Sequence, residues 1–131
     1  MEIYSFTDGK WKMYDEQEDE WVTVMIVKVP IETLLEEYNN LLRELSQKEE
    51  ELNTITHDYR EKQINIMYIE NIDFKTLYGK ANDDIRKHHF RTVHAELIQQ
   101  KEALELSTDY IKRVIGLFKR VIDYKILYGD Y

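Results

Sequence analysis

The sequence predicts a mainly α protein: a long antiparallel two-helix hairpin, similar to a coiled coil, preceded by a small three-stranded antiparallel β-meander. Three observations predict it. Residues 1–29 alternate β-branched or aromatic runs with turn residues, an apolar heptad repeat runs from residue 31, and a second repeat begins near residue 83. A chain of 131 residues with 43% hydrophobic residues can bury a core, so we expect one domain.

The first 29 residues are predicted to form the meander. Residues 3–6 and 11–14 flank Thr7-Asp8-Gly9-Lys10, and an Asp-Gly pair supplies the positive φ that a tight hairpin turn needs. Residues 21–29 are rich in β-branched side chains and are predicted to form the third strand. The acidic run 15–20 is predicted to be the solvated loop that connects the second and third strands.

The first long helix is predicted over residues 31–72. Pro30 is the only proline, and its fixed φ suits the start of a helix. No Gly or Pro interrupts the heptad repeat that follows. Its two rows are Ile31, Tyr38, Leu45, Leu52, Tyr59 and Ile66, and Leu34, Leu41, Lys48, Ile55, Lys62 and Ile69.

A connecting loop is predicted over residues 73–82 and a second long helix over residues 83–128. Gly79 suits a turn, and Asn82 is a good N-cap residue before Asp83. Because short connections make neighbouring helices antiparallel, we expect residues 111–128 to lie beside residues 31–45 and the strands. The opposite end, from about residue 55 to residue 97, is predicted to protrude as an arm. The second helix repeats Phe90, Leu97, Leu104, Ile111 and Phe118.

Composition restricts the compartment and the partners. The absence of cysteine excludes disulfides and thiolate zinc sites, and no apolar run is long enough to cross a membrane. We therefore expect a cytoplasmic protein, in a cell or an infected host cell, with no membrane partner. The net charge of −8 lies in the first half, because residues 1–74 carry 7 Lys/Arg against 18 Asp/Glu. This balance disfavours a surface that coats nucleic acid uniformly.

No pattern of catalytic or metal-binding residues is present in the sequence. The histidines at 57, 88, 89 and 94 are not three or four residues apart, which is the spacing that puts two metal ligands on one helical face. The four glycines form neither a nucleophile elbow nor a phosphate-binding loop. We predict a protein that is not an enzyme and has no catalytic residue, metal, cofactor or small-molecule substrate.

The chain between residues 74 and 91 interleaves basic and aromatic side chains, a pattern that grips single-stranded nucleic acid by charge and stacking. The candidate binding residues are Phe74, Lys75, Tyr78, Lys80, Arg86, Lys87 and Arg91. The alternative is that Phe74, Leu77, Tyr78 and Phe90 close the end of the helical hairpin, with the cations keeping it solvated.

Self-association through the helices is expected, because two helices cannot cover one another's apolar rows alone. A dimer is favoured, in which two hairpins make a four-helix bundle. The predicted oligomer seam is Tyr59, Ile66, Phe90, Val93 and Leu97.

The acidic half supports a further alternative, a mimic of DNA phosphates that inhibits a basic protein such as a host-defence factor. Ordinary solubility explains the same residues.

The segment Tyr78-Gly79-Lys80-Ala81-Asn82-Asp83-Asp84-Ile85-Arg86-Lys87 resembles a family of small coiled-coil proteins of phages, archaeal viruses and mobile elements. In these proteins a long helix ends in a Gly-Lys-Asn-type turn, an Arg follows, and a second long helix begins. The resemblance covers residues 31–128. It implies an accessory role and leaves the mechanism open. Our leading hypothesis is a non-enzymatic accessory protein of viral or mobile-element type that binds other macromolecules, with a protein partner.

Overall fold

The computed structural model describes residues 2–129 and is mainly helical, with a small three-stranded antiparallel sheet near the N-terminus, as predicted. The strands are β1 (Tyr4–Thr7), β2 (Lys10–Asp15) and β3 (Glu20–Val24). The helices are α1 (Ile31–Ile64), α2 (Phe74–Tyr78), α3 (Asp83–Val93) and α4 (Ala95–Tyr128). The strand order is β1-β2-β3, a meander.

The predicted β1–β2 hairpin is confirmed. Asp8 and Gly9 have φ values of 54° and 75°, and Thr7 pairs with Lys10, so the connection is a two-residue turn with positive φ at both positions. Gly9 is also approached closely by α4, because a Cβ built there would lie 2.5 Å from the Tyr110 hydroxyl oxygen. A side chain at position 9 would therefore displace Tyr110.

The third strand is shorter than predicted, since β3 ends at Val24 and a 3-10 turn covers Ile26–Lys28. Val24 pairs with Trp11, almost the first residue of β2, so few residues of β2 remain for a longer β3 to pair with. Val29 is fully buried although it lies outside the sheet. After Val24 the apolar run divides, because Ile26 and Val29 pack on the core whereas Met25 and Val27 are exposed.

The first helix is also shorter than residues 31–72. Regular α-helix ends at Ile64, and a π-helical turn follows over Asn65–Ile69, closed by a hydrogen bond from the Glu70 backbone N–H to the Asn65 carbonyl. A π-turn inserts an extra residue into the helical repeat. The heptad pattern alone cannot show this change of hydrogen bonding.

The segment predicted as a loop over residues 73–82 contains the short helix α2. The Asp73 carboxylate caps α2 by accepting hydrogen bonds from the Thr76 backbone N–H and hydroxyl, which hold the pKa of Asp73 below its ordinary value. Gly79 ends α2 in the left-handed conformation with φ 77°, and Asn82 caps α3 by accepting from the Ile85 N–H at 2.9 Å. The predicted turn at Gly79 and cap at Asn82 are confirmed.

The second long helix of residues 83–128 is interrupted at His94, which has φ −111° and ψ 32°. Backbone hydrogen bonds continue across it, from the His94 N–H to the Phe90 carbonyl and from the Ile98 N–H to the His94 carbonyl. The Thr92 hydroxyl donates to the His88 carbonyl at 2.9 Å, a bond that tends to bend helices. The interruption is therefore a local distortion between α3 and α4.

The described residues form two compact units. The first unit comprises those residues of Met1–Ser46 and Asp109–Tyr131 that lie within 2–129. The second unit is Gln47–Thr108. α1 and α4 pack together, and both contribute residues to each unit.

The first unit has its core between the sheet and two helical segments. Its buried residues are Trp11, Val29, Leu34, Leu41, Ile111, Phe118, Val121 and Ile122. The Phe118 ring lies 5.0 Å from the Phe6 ring and 5.7 Å from the Trp11 ring, measured between centroids. The prediction that residues 111–128 lie beside residues 31–45 and the strands is confirmed.

The second unit has a smaller core made by Ile66, Phe74 and Phe90. The partly buried residues packed against it are Tyr59, Ile72, Tyr78, Ile85 and Ile98. The core therefore joins α2 and α3 to α1, its π-turn and α4.

No helix within residues 2–129 is sufficiently long and apolar to span a lipid bilayer.

Candidate functional site

The predicted basic-aromatic site lies in the second unit, on α2, α3 and the turn between them. Its aromatic members do not lie on the surface as a stacking platform would. Phe74 is only 5% exposed and Tyr78 is half-buried. The burial of Phe74 and Phe90 agrees with the alternative in which these rings close the end of the helices, although Leu77, assigned the same role, is exposed.

Arg86 makes two contacts, one with an aromatic ring and one with a carboxylate. The centre of its guanidinium lies 5.7 Å from the Phe74 ring centroid, and its Nη1 lies 3.5 Å from the Asp83 Oδ1. Such partly exposed interactions each contribute modestly to stability. Arg86 therefore connects α3 to the ring of α2, and only part of its donor capacity faces solvent.

Two histidines that the sequence analysis assigned no role complete this cluster. The Tyr78 hydroxyl is hydrogen-bonded to the His89 Nδ1 at 2.7 Å, and either group can be the donor, depending on the histidine tautomer. The His89 ring also meets the Phe74 ring edge-on at 5.4 Å, and the His88 ring meets that of Tyr78 at 5.7 Å. Tyr78 and His89 are eleven residues apart, so no local spacing predicts their contact.

The remaining candidate residues form an exposed set of cations around this aromatic cluster. Lys75 lies on α2, Lys80 follows Gly79 in the turn, and Lys87 and Arg91 lie one helical turn apart on α3. Within residues 2–129, none of the four forms an ion pair. We call these four residues the basic patch; their charges are free to meet an anionic partner.

The predicted seam residues take different positions in the second unit. Ile66 and Phe90 are buried in its core, and the Tyr59 ring meets the Phe90 ring edge-on at 5.1 Å. Leu97 is half-buried, whereas Val93 is 55% exposed. Ile66 and Phe90 are thus already covered by their own chain, and Val93 is the seam residue with the largest exposed fraction.

A second set of exposed apolar residues, in the first unit, was not singled out by the sequence analysis. Leu35 and Leu42 lie seven residues apart on α1, and Tyr110, Leu117 and Tyr124 lie seven apart on α4. We call these the α1 row and the α4 row. The heptad spacing of both rows is visible in the sequence. Each row lies beside a buried row on the same helix, so the spacing alone does not show which of the two is exposed.

No three His, Asp or Glu side chains within residues 2–129 lie close enough together to hold a metal ion. The pKa values of Asp73 and Glu37 are displaced, and each displacement has a structural cause. Burial raises the pKa of Glu37, opposed by a hydrogen bond from Asn40 and reinforced by nearby Glu44 and Glu36.

Comparison of the chain with family models, with curated proteins and with solved structures gives no match.

Proposed function

We propose that this is a non-enzymatic interaction protein of viral or mobile-element type, which acts by helical self-association and by binding other macromolecules. The observation that carries the proposal is the pair of uncovered apolar rows in the first unit, the α1 row and the α4 row. Large apolar side chains repeated every seven residues along an exposed helix face are typical of helices that pack against further helices. The sequence resemblance supports the same class of function.

The charges beside the two rows favour a pairing of one row with the other. Glu32 and Glu36 are exposed and flank Leu35 on α1, whereas Arg113 and Arg120 are exposed and flank Leu117 on α4. Opposite charges beside a seam guide helices into register and suppress the pairing of like faces. We therefore propose a symmetric dimer of antiparallel helical hairpins, in which the α1 row of each copy contacts the α4 row of the other.

Light scattering coupled to size exclusion tests this proposal. At tens of micromolar the protein is expected to elute with the mass of a dimer, and the double substitution Leu35→Ser with Leu42→Ser is expected to give a monomer. Leu77→Ser is the matched control, because Leu77 is 61% exposed but lies outside both rows. A wild-type monomer at this concentration would refute self-association.

A second candidate function is single-strand nucleic-acid binding by the basic patch. The observation that favours it is that four exposed cations lie on the elements that carry the aromatic cluster, α2, α3 and the turn between them, without an ion pair among the described residues. With Phe74 buried, the half-buried Tyr78 is the candidate member left to stack on a base. We expect phosphate contacts to dominate this binding and sequence preference to be slight.

Fluorescence anisotropy with a labelled oligothymidine at low salt tests this second candidate. Lys87→Ala with Arg91→Ala is expected to weaken binding, and to flatten the plot of log affinity against log salt by about 0.7 for each phosphate that is no longer neutralised. Lys119→Ala with Arg120→Ala is the control, since it removes two exposed cations from α4 in the first unit. An equal reduction of affinity in both double variants would show a nonspecific charge effect and rule out the basic patch.

A further inference from the structure

The sheet of the first unit has one face on the core and one face turned away from it. Trp11 lies in the core, and Tyr4, Phe6 and Val24 pack against it. Successive side chains of a strand point to opposite faces, and residues paired across strands share a face. The register therefore places a second set of side chains on the outer face, and none of them is buried: Ser5, Thr7, Lys10, Lys12, Tyr14, Trp21 and Thr23.

One end of the outer face carries large apolar side chains that are uncovered. Tyr14 pairs with Trp21, and their rings lie 5.5 Å apart between centroids with an interplanar angle of 61°. The Tyr14 backbone N–H donates to the Ile3 carbonyl oxygen at 3.0 Å, which adds Ile3 to the same row. Trp21 is 47% exposed and Ile3 is 51% exposed. We call Ile3, Tyr14 and Trp21 the outer row; exposed aromatic and aliphatic side chains that lie together are typical of interaction surfaces.

Carboxylates are concentrated at the same end of the sheet. We call them the acidic rim: Glu2, Asp15, Glu16, Glu18, Asp19 and Glu20. Asp15 pairs with Glu20 at the end of the β2–β3 hairpin, and the Tyr14 hydroxyl donates a hydrogen bond to Asp19. Within residues 2–129, none of the six forms an ion pair with a Lys, Arg or His side chain. The outer face adds two lysines to these six carboxylates, which leaves a balance of −4.

An aromatic row beside unpaired carboxylates favours a cationic partner, and arginine suits it best. The planar guanidinium stacks on aromatic rings and donates two parallel hydrogen bonds to a carboxylate, whereas the lysine ammonium is a compact point charge. The same charges disfavour nucleic acid, because its phosphates would meet carboxylates. They also disfavour a second copy of this face, because each copy would bring a net charge of −4 to the contact.

We propose that the outer face of the sheet is a docking surface for a basic, arginine-containing segment of a partner protein. An arginine guanidinium stacks on Trp21, and neighbouring cations of the segment face the acidic rim. This inference rests on the proposed function, since it gives the chemistry of a protein partner, but its residues are not those of the α1 row or the α4 row. The acidic composition alone suggests a basic partner, and the outer row adds the place where such a partner binds.

Two peptides that differ only in their cations test the proposal. The probes are dye-labelled octapeptides of alternating glycine and arginine, or of alternating glycine and lysine, measured by fluorescence anisotropy at low salt. Both peptides carry the same charge, so stacking on Trp21 is expected to make the arginine peptide bind the wild type about 2- to 5-fold more tightly. Trp21→Thr, which keeps a β-branched residue in β3, is expected to lose most of this preference. Tyr68→Ala is the matched control, because it removes an exposed aromatic side chain from the second unit and is expected to retain the preference.

A pair of charge variants locates the binding. Glu18→Gln with Glu20→Gln is expected to weaken the binding of both peptides and to reduce the dependence of affinity on salt. Glu50→Gln with Glu51→Gln removes two exposed carboxylates from α1 and is expected to have little effect. Thermal unfolding followed by circular dichroism checks that each variant is folded, and if Trp21→Thr is unfolded, Trp21→Leu replaces it.

Four results would each overturn the proposal. They are equal affinity of the wild type for the two peptides, an arginine preference that Trp21→Thr leaves intact, equal losses in the two charge variants, and binding of a labelled oligothymidine that Trp21→Thr weakens. The last result would assign the outer face to nucleic acid. Peptide affinity and elution mass are separate measurements, so failure of this proposal leaves self-association standing, and a monomer in light scattering leaves this proposal standing.

Discussion

Leu34 and Leu35 are consecutive residues of one helix, and replacing each by alanine tests the packing of the first unit. Leu34 is fully buried, with 0% exposure, whereas Leu35 is 41% exposed. The two substitutions change helix propensity equally, because the residue types and the helix are the same. The difference between their effects therefore reports burial.

The expected magnitudes follow from this exposure. Leu→Ala removes the equivalent of about three methylene groups, worth about 2.4 kcal/mol when fully buried, and a cavity adds to this at a site that cannot collapse, giving about 3 to 5 kcal/mol for Leu34→Ala. Since Leu35 is about three-fifths buried, Leu35→Ala is expected to cost about 1.4 kcal/mol with little cavity contribution. The free energies of unfolding should differ by at least about 1.5 kcal/mol.

Urea unfolding followed by circular dichroism measures both values. At a slope of about 1 to 3 kcal/mol/M, this difference separates the two midpoints by about 0.5 M or more. The measurement is made at low micromolar concentration, because a dimer that covers Leu35 would add a concentration-dependent cost to that variant. Equal costs at every concentration would refute the assignment of Leu34 to the core and Leu35 to the uncovered row.

Three further outcomes are expected in the same unfolding assay. Asn82→Ala should cost about 1 kcal/mol, because the Ile85 N–H loses its cap, and Asn82→Asp should cost little; equal costs would show that the cap does not stabilise α3. Gly79→Ala should destabilise the protein by about 1 kcal/mol, because the backbone there has a φ of 77°. Gly116→Ala should stabilise the protein by a similar amount, because Gly116 lies within α4 and an added Cβ would meet no atom within 4 Å. Effects of the same sign for the two variants would contradict these reasons. Glu37→Gln should raise the free energy of unfolding at neutral pH, because burial raises the pKa of Glu37 and disfavours its charged form. This stabilisation should disappear as the pH falls through that pKa and wild-type Glu37 becomes protonated. A stabilisation that does not depend on pH would refute this cause.

Local chemistry made some parts of the fold predictable. Asp8-Gly9 specifies its turn because few residue pairs accept positive φ at both positions, and Asn82 specifies its helix start because its short side chain reaches the Ile85 N–H. Gly79 ends α2 for the same conformational reason as Gly9. These features depend on residues within about four positions of one another, and so they can be read from the chain.

The candidate site was less predictable, because its contacts join distant positions. The Tyr78 hydroxyl meets His89 across the Gly79 turn, and the Arg86 guanidinium lies over the ring of Phe74. The sequence shows the interleaving of charged and aromatic residues, but it left open whether Phe74 lies exposed in a binding site or buried at the end of the helices. Burial depends on which elements surround a side chain, and periodicity cannot supply that.

The sequence by itself determined the two helical repeats, the hairpin turn and the caps, because each follows from the stereochemistry of neighbouring residues. Only the tertiary structure decided where the elements end and which apolar rows are covered. β3 ends at Val24 because it pairs there with Trp11, near the start of β2, and Val29 is buried outside the sheet. Leu34 is covered and Leu35 is not because α4 and the sheet pack on one side of α1 in the first unit. That distinction depends on the neighbours of the helix, which its own residues do not specify.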